Sequence, residues 1–384
     1  MFFSENDKYF YRREKQRSTK EAGLPITTKG VYPGHVPIFS QILRILQRTD
    51  IVRHQYRILN IMRAILLKEY GLPNVLEVGE AVKPMPKEEE VLVKIHSASI
   101  NDWDWGLVRG KPFIIRLFFG LFKPKIHIPG VDISGKIEAV GSKVSAFQVG
   151  DEVYCDLSEC GFGGFAEYVC IPEKHLSKKP SNISFNDASA LPHAGTLALQ
   201  GLVEKGKVKP GQHILINGAG GGVGTLGIQI LKSYGVNVTG VDSGEKLDLM
   251  KSLGYDRVMD YKKMDFTEEG EKYDLILDTK SYKSIFKYAR SLKKNGRYIT
   301  VGGSMYRLVE ILLFGSLISL FTGKKLSILT HQPNKGLDQI SELVEKEQIT
   351  PLIDGPYEFD KIPELIQYFG EGKHLGKIVV EIEK

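Results

Sequence analysis

The sequence predicts an α/β protein in which a β-rich module leads into a doubly wound parallel sheet and is then resumed at the C-terminus. Three observations predict this. From residue 91 to about 185, short apolar runs are separated by Gly and Pro turns, with little helical period. From about 186 to 327, apolar strands alternate with helical patterns, which demands a parallel sheet with helices on both faces. A helical pattern at Leu337–Lys346 and a last strand at Lys377–Ile382 then bring the chain back to the first module.

A chain of 384 residues, 42% of them apolar, is long enough for two domains with separate cores. Its net charge of +6 belongs to one end. Residues 1–61 hold 11 Lys and Arg against 5 Asp and Glu, leaving 41 of each sign in the rest. A basic fold seeking nucleic acid is therefore not expected. Residues 1–61 read as a dispensable basic extension, expected to be flexible, interrupted by Pro25, Pro33 and Pro37, with a poor helical pattern over 41–61. The compact protein is expected from Met62. Strands are expected at Val91–Ile95, Ile133–Val140, Glu152–Tyr154 and Phe165–Ile171 in the β-rich module. The parallel sheet is assigned Ile214–Ile216, Val236–Val241, Arg257–Met259, Leu275–Leu277 and Tyr298–Val301. The domains are drawn as 62–185 with 328–384, and 186–327.

The stretch 213–224, His-Ile-Leu-Ile-Asn-Gly-Ala-Gly-Gly-Gly-Val-Gly, carries the functional signal. A strand breaks into a glycine turn, a helical pattern opens, and a second strand ends at Asp242. That order is the phosphate-binding unit of a dinucleotide fold. The turn lets backbone approach a pyrophosphate, whose charge then rests at a helix N-terminus. Gly218, Ala219, Gly221, Gly222, Val223 and Gly224 are the candidate contacts, and the alternative is a doubly wound sheet with an empty crevice. Three cysteines (Cys155, Cys160 and Cys170) make no disulfide framework and fit a reducing compartment, so a cytoplasmic protein is expected. No uninterrupted run of about 18 apolar residues predicts a membrane span. The N-terminus has no signal-peptide layout, and Glu5, Asp7, Glu14 and Glu21 speak against an organellar transit peptide.

Several motifs follow one another in a recognisable order. They include Ser97-Ala-Ser-Ile-Asn-Asp-Trp-Asp, Pro129-Gly-Val-Asp-Ile-Ser-Gly, Phe147-Gln-Val-Gly-Asp-Glu-Val and Gly163-Gly-Phe-Ala-Glu-Tyr-Val. The glycine turn, Tyr273-Asp-Leu-Ile-Leu-Asp, Gly296-Arg-Tyr-Ile-Thr-Val-Gly-Gly and Gly376-Lys-Ile-Val-Val come next. From Met62 onward the chain resembles the medium-chain dehydrogenase/reductase superfamily, and within it the zinc-free quinone oxidoreductase branch. The resemblance implies a GroES-like catalytic domain and a Rossmann nucleotide domain. Zinc-dependent relatives carry Cys where this chain has Asn101, and Gly-His-Glu where it has Gly130-Val131-Asp132, so no zinc or other metal is expected. The three thiols are expected to be inert.

For the cofactor, Asp242 is suited to the ribose hydroxyls of NADH, whereas Ser243 and Lys246 are suited to the 2′-phosphate of NADPH. An Asp242 that merely starts the next helix is the structural alternative. Dual use with a modest NADPH preference is expected. The resemblance places Gly302, Gly303 and Lys377 on the nicotinamide side, and Tyr261 is expected to flank the adenine. Hydride transfer without metal needs hydrogen-bond donors for a developing oxygen charge. Asn101 and Asp104 match the Asn and Asp of the family's Ser-x-Asn-Pro-x-Asp motif, with Asp102 in place of the proline. His193 is the candidate proton donor, the alternatives being a structural His at a helix start and water as the source of the proton.

The activity implied is reduction of a hydrophobic quinone or an α,β-unsaturated carbonyl by an NAD(P)H-dependent enzyme. The alternatives are a zinc-free alcohol dehydrogenase-like carbonyl reductase and a non-catalytic NADP-binding protein. A small hydrophobic substrate and a homodimer are the expected partners. Two greasy segments, 113–125 and 308–321, are expected to be core or dimer packing, or an apolar pocket. Their basic flanks also permit shallow membrane contact, ranked below packing.

Overall fold

The computed structural model describes residues 61–383. The greater part of the N-terminal extension, including the helical pattern expected over 41–61, lies outside the described residues.

The described chain begins with a hairpin, β1 (Ile61–Leu67) and β2 (Leu76–Val82), joined to the rest at the Ala64–Ala166 bridge. The strands that follow are β3 (Glu90–Ser99), β4 (Asp132–Val140), β5 (Glu152–Asp156), β6 (Tyr168–Pro172) and β7 (Ser177–Lys178). Between β3 and β4 lie helices α1 (Asp102–Arg109) and α2 (Ile114–Phe119). Helices α3 (Phe185–Ser189) and α4 (Pro192–Leu199) lead into the parallel sheet. That sheet consists of β8 (His213–Asn217), β9 (Asn237–Asp242), β10 (Arg257–Asp260), β11 (Tyr273–Asp278), β12 (Leu292–Thr300) and β13 (Lys325–Ile328). Its connections are α5 (Gly222–Leu231), α6 (Leu247–Ser252), α7 (Ile285–Ser291) and α8 (Met305–Thr322). The chain closes with α9 (Leu337–Glu345), β14 (Ile353–Glu358), α10 (Ile362–Glu371) and β15 (Lys377–Glu381).

The six parallel strands are ordered β10-β9-β8-β11-β12-β13. The order reverses between β8 and β11, and in an open α/β sheet the crevice at such a switch point is where a ligand binds. Central β8 is buried on both faces through Ile214, Leu215 and Ile216, as its continuous apolar run requires. The catalytic sheet runs β14-β15-β3-β4-β5-β7, with β6 also on β3. Its core joins Val93, Ile95, Ile133, Val153 and Phe165 to Ile378 and Val380 of the returning strand. The GroES-like and Rossmann architecture expected from the motifs is present.

The greasy segments differ from the expectation of a core. The first forms the short helix α2, with Phe113, Leu117, Phe118 and Phe122 exposed. The second is α8, of which only Glu310, Ile311 and Gly315 are buried. By length and composition α8 is apolar enough to cross a membrane. A search for uninterrupted apolar runs passes it over because Arg307 and Glu310 stand near its start.

Candidate active site

The glycine turn connects β8 to α5 at the switch point. Gly218 adopts a positive φ of 93°, and its amide and that of Ala219 donate to Val241 O at 2.9 and 3.1 Å. Gly224 lets α5 press onto the strand end, since a Cβ there would run into the Ala219 backbone. Above Gly221 the space is open, the nearest atom to an added Cβ being Gly218 O at 3.6 Å. The open space over the start of a ten-residue helix, whose first amides have no partner within the helix, fits a dinucleotide pyrophosphate.

The turn forms one wall of a cleft of about 230 Å³ between the two sheets. Ile100, Leu197, Val301 and Phe369 make it apolar, and Asn101, Asp102, His193, Lys280 and Lys377 give it polar points. The expected Gly302 and Gly303 line it after β12, with Gly218, Gly221, Gly222 and Val223 opposite. The last strand reaches the turn directly, with Gly376 N donating to Gly220 O at 2.9 Å.

Asp242 is committed inward. Its Oδ2 accepts from Gly220 N at 2.9 Å, its Oδ1 from Ser243 N at 2.8 Å, and Lys246 Nζ lies 3.6 Å from Oδ1. All three residues are buried. The acid thus braces the glycine turn, and Lys246 stands beside it as a cation. Tyr261 is exposed after β10, its amide on Asp242 O and its ring 6.2 Å from that of Tyr282.

The catalytic candidates separate on geometry. Asp104 lies away from the cleft: Oδ2 caps α1 through Asn101 N and Oδ1 accepts from Gly130 N, each at 2.9 Å. Burial pushes its carboxyl up to about 7, although those two amides oppose the shift. The motif-matched Asp104 thus braces the start of α1 and the Gly130 turn. Asn101 does line the cleft, but its amide is spent. Nδ2 donates to Asp132 Oδ2 at 3.1 Å and to Ser99 O at 3.3 Å, while Oδ1 accepts from Lys377. Both hydrogens are thus engaged, and the side chain ties Asp132 and Ser99 together at the wall of the cleft.

Lys377 is buried and also bonds Asp132 Oδ2 at 3.2 Å and Ile100 O at 3.4 Å. Asp132 Oδ1 receives the backbone N of His193 at 3.0 Å. The His193 ring is clamped between two acids, Nδ1 at 2.7 Å from Asp156 Oδ2 and Nε2 at 3.1 Å from Asp102 Oδ1. Burial works to lower its pKa, but the hydrogen bonds and charges of the two carboxylates outweigh it and raise the ring to about 10. His193 therefore holds a proton at neutral pH. Behind it, burial and the His193 charge push His331 down to about 4.

Asp102 and Asp156 were missed by sequence reasoning. Asp102 stands where the family motif has proline, and that departure was the only signal. His374 was missed too. It lines the cleft against Phe369, its Nδ1 is buried without a partner, and burial with the charges of Lys246, Lys280 and Lys377 pushes it down to about 3. The thiols behave as expected: burial pushes Cys160 and Cys170 up to about 12 and Cys155 well above its ordinary value.

Residues 87–181 match the alcohol dehydrogenase GroES-like domain and residues 253–380 match the zinc-binding dehydrogenase family. A 2-methylene-furan-3-one reductase of Solanum lycopersicum is 33% identical over 330 residues, which are 83% of this chain and 79% of that one. The chain belongs to the medium-chain dehydrogenase/reductase superfamily. Within the superfamily it is also 31% identical to a chloroplastic NADPH-dependent alkenal/one oxidoreductase of Arabidopsis thaliana, over 83% of this chain and 79% of that one. The structure of the quinone oxidoreductase from Coxiella burnetii superposes with a TM-score of 0.76 at 25% identity, covering 84% of this chain and 100% of that one.

Zinc is the metal that the second matching family carries in its description. The residues at the positions of the zinc ligands do not fit it. Asn101 offers an amide, Val131 a hydrocarbon, and the carboxylate of Asp132 is already paired with the Lys377 ammonium.

Proposed function

We propose that this chain is a reductase of hydrophobic quinones or α,β-unsaturated carbonyls that works with NADPH, accepts NADH, and needs no metal. The observation that carries the reading is the Lys377 ammonium held by Asn101 and Asp132, residues that the motif match aligns with zinc-ligand segments of metal-dependent relatives. It stands beside an apolar cleft that shares a wall with the glycine turn.

When bound, a reduced nicotinamide supplies a hydride to an electrophilic carbon of the substrate. The protein's part is to bind, orient, keep the cleft dry and hold a proton. The glycine turn and the N-terminus of α5 would take the pyrophosphate, with Ser243 and Lys246 at the 2′-phosphate and Lys280 as a further cation. Ile100, Leu197 and Val301 exclude water from the reacting face. His193 keeps a proton on Nε2 against Asp102 Oδ1, and the Asp102 side chain is 63% exposed. That pair is a route between a stored proton and solvent, serving the oxygen that gains charge as hydride arrives.

The cytoplasmic setting of this proposal rests on the three free thiols. A homodimer through β13 rests on that strand lying at the edge of the parallel sheet. The deciding experiment follows loss of reduced-cofactor absorbance on the full chain, with NADPH and NADH, against a quinone, an enone and an aldehyde. Turnover of quinone or enone supports the proposal. Turnover of the aldehyde alone makes it a carbonyl reductase, and tight cofactor binding without turnover makes it a binding protein.

A further inference from the structure

Two helices expose apolar surface that nothing among the described residues covers. On α8, Leu312, Leu313, Leu320 and Phe321 face outward, the last two 77% and 81% exposed. The opposite face of α8 lies on the parallel sheet: Ile311 and Gly315 are buried, and a Cβ on Gly315 would sit 3.3 Å from Leu326 O. The charges of α8 are kept at its start, where Arg307 Nη1 pairs with Glu310 Oε1 at 2.8 Å, and Lys325 follows its end. The stretch 111–125 repeats the arrangement. Phe113, Leu117, Phe118 and Phe122 are exposed, the last by 85%, among Lys111, Arg116, Lys123 and Lys125 and with no acid.

The surface of α8 begins at the rim of the cleft, and α2 follows a helix that reaches it. Gly302 and Gly303 line it immediately before α8, and Asp102 of α1, which precedes α2, lines it from the catalytic side. Contiguous apolar patches of this kind on a folded surface mark a docking site.

We propose that α2 and α8 dock this chain in the plane of an anionic lipid bilayer, with the cleft opening at the membrane. Charge decides for lipid over a second copy of the chain. The rim of 111–125 has no acid, so a copy seated on itself there would oppose like charges, whereas anionic headgroups neutralise that rim and Lys325. Burial of Ile311 and Gly315 against the sheet fixes α8 as lying on the bilayer and not crossing it. The bilayer then takes the exposed Leu and Phe side chains to the depth of the headgroup boundary. A consequence, which rests on the reductase reading, is that a lipid-soluble quinone or enone reaches the cleft from the membrane without passing through water.

The test is sedimentation of the full chain with vesicles of phosphatidylcholine alone and of phosphatidylcholine with phosphatidylglycerol. Partition is expected to be about tenfold stronger on the anionic vesicles and to fall as salt is raised. The pairs Leu320→Glu with Phe321→Glu, and Phe118→Glu with Phe122→Glu, change only exposed side chains and should each weaken binding about tenfold or more. Turnover of a water-soluble quinone should stay unchanged, while the advantage of a long-chain quinone dissolved in vesicles is lost. The proposal is overturned if the wild-type chain does not sediment with anionic vesicles, if both double variants sediment like wild type, or if either splits an oligomer into monomers. Partition is read without cofactor, so absence of reductase activity would leave this result standing and would be recognised separately.

Discussion

The ammonium of Lys377 lies 3.2 Å from Asp132 Oδ2, and both side chains are sealed from solvent. The pair ties β15 to β4 across β3, joining residues 245 apart in the chain. Removing one member leaves the other charged and buried, which costs about 3–5 kcal/mol. Lys377→Met should therefore lower unfolding stability in urea by about that much, and adding Asp132→Asn should restore part of it. A loss under about 1 kcal/mol would show that water or another group solvates Asp132.

His193 should produce a pH dependence of definite sign. Its pKa is about 10 in the folded protein against an ordinary value of 6.5, so its stabilising contribution is complete below 6.5. The contribution is lost as pH rises through 10. His193→Gln should destabilise the protein most below pH 6.5 and least above 10, as measured by thermal unfolding across that range. If His193 supplies the proton, wild-type turnover also falls on an alkaline limb near 10, and this limb disappears in the variant. An alkaline limb retained in His193→Gln would assign the proton to water.

Asp242 holds the glycine turn through Gly220 N and stands beside Ser243 and Lys246, the proposed 2′-phosphate contacts. Asp242→Ser should improve NADPH binding, because two like charges at about 4 Å cost about 1–4 kcal/mol. About tenfold tighter binding of NADPH is expected, with weaker binding of NADH and a lower melting temperature from the loosened turn. Fluorescence titration with both cofactors checks this. An unchanged ratio of the two affinities would remove Asp242 from cofactor selection.

One group among the described residues could accept a cation: Asp156, His193 and His331 place ligand atoms within 4.8 Å of one another. Both ring nitrogens of His193 already face carboxylates, which gives a hydrogen-bonded relay a better claim to the geometry. Turnover should survive treatment with a strong chelator, and elemental analysis should find less than one metal per chain. Loss of activity on chelation with recovery on adding zinc would overturn the metal-free reading and direct attention to these three residues.

The nucleotide unit was legible because its signal is local. The strand, glycine turn, helix and Asp242 lie within thirty residues of 213, and each element constrains the next. The chemistry around His193 was not legible, because its two acids lie 91 and 37 residues away and meet it only in the fold. Asn101 lines the cleft, but the partners of its amide could not be read from the sequence. Its nitrogen donates to Asp132 and its oxygen accepts from Lys377, both on other strands. For α8, composition showed an apolar segment but not which faces meet protein. Ile311 and Gly315 seat it, with Glu310 buried and Ile318 half-buried beside them, and most of its other apolar side chains are left outside.

Gly376 closes on the glycine turn, and Lys377 completes the floor of the cleft. The site is therefore finished by residues that a ribosome adds after the whole parallel sheet has been made. A nascent chain can fold its nucleotide unit early, but its cleft stays open on one side until the last strand emerges and pairs with β3. Assembly order thus leaves the cleft without its last wall until the catalytic sheet is whole.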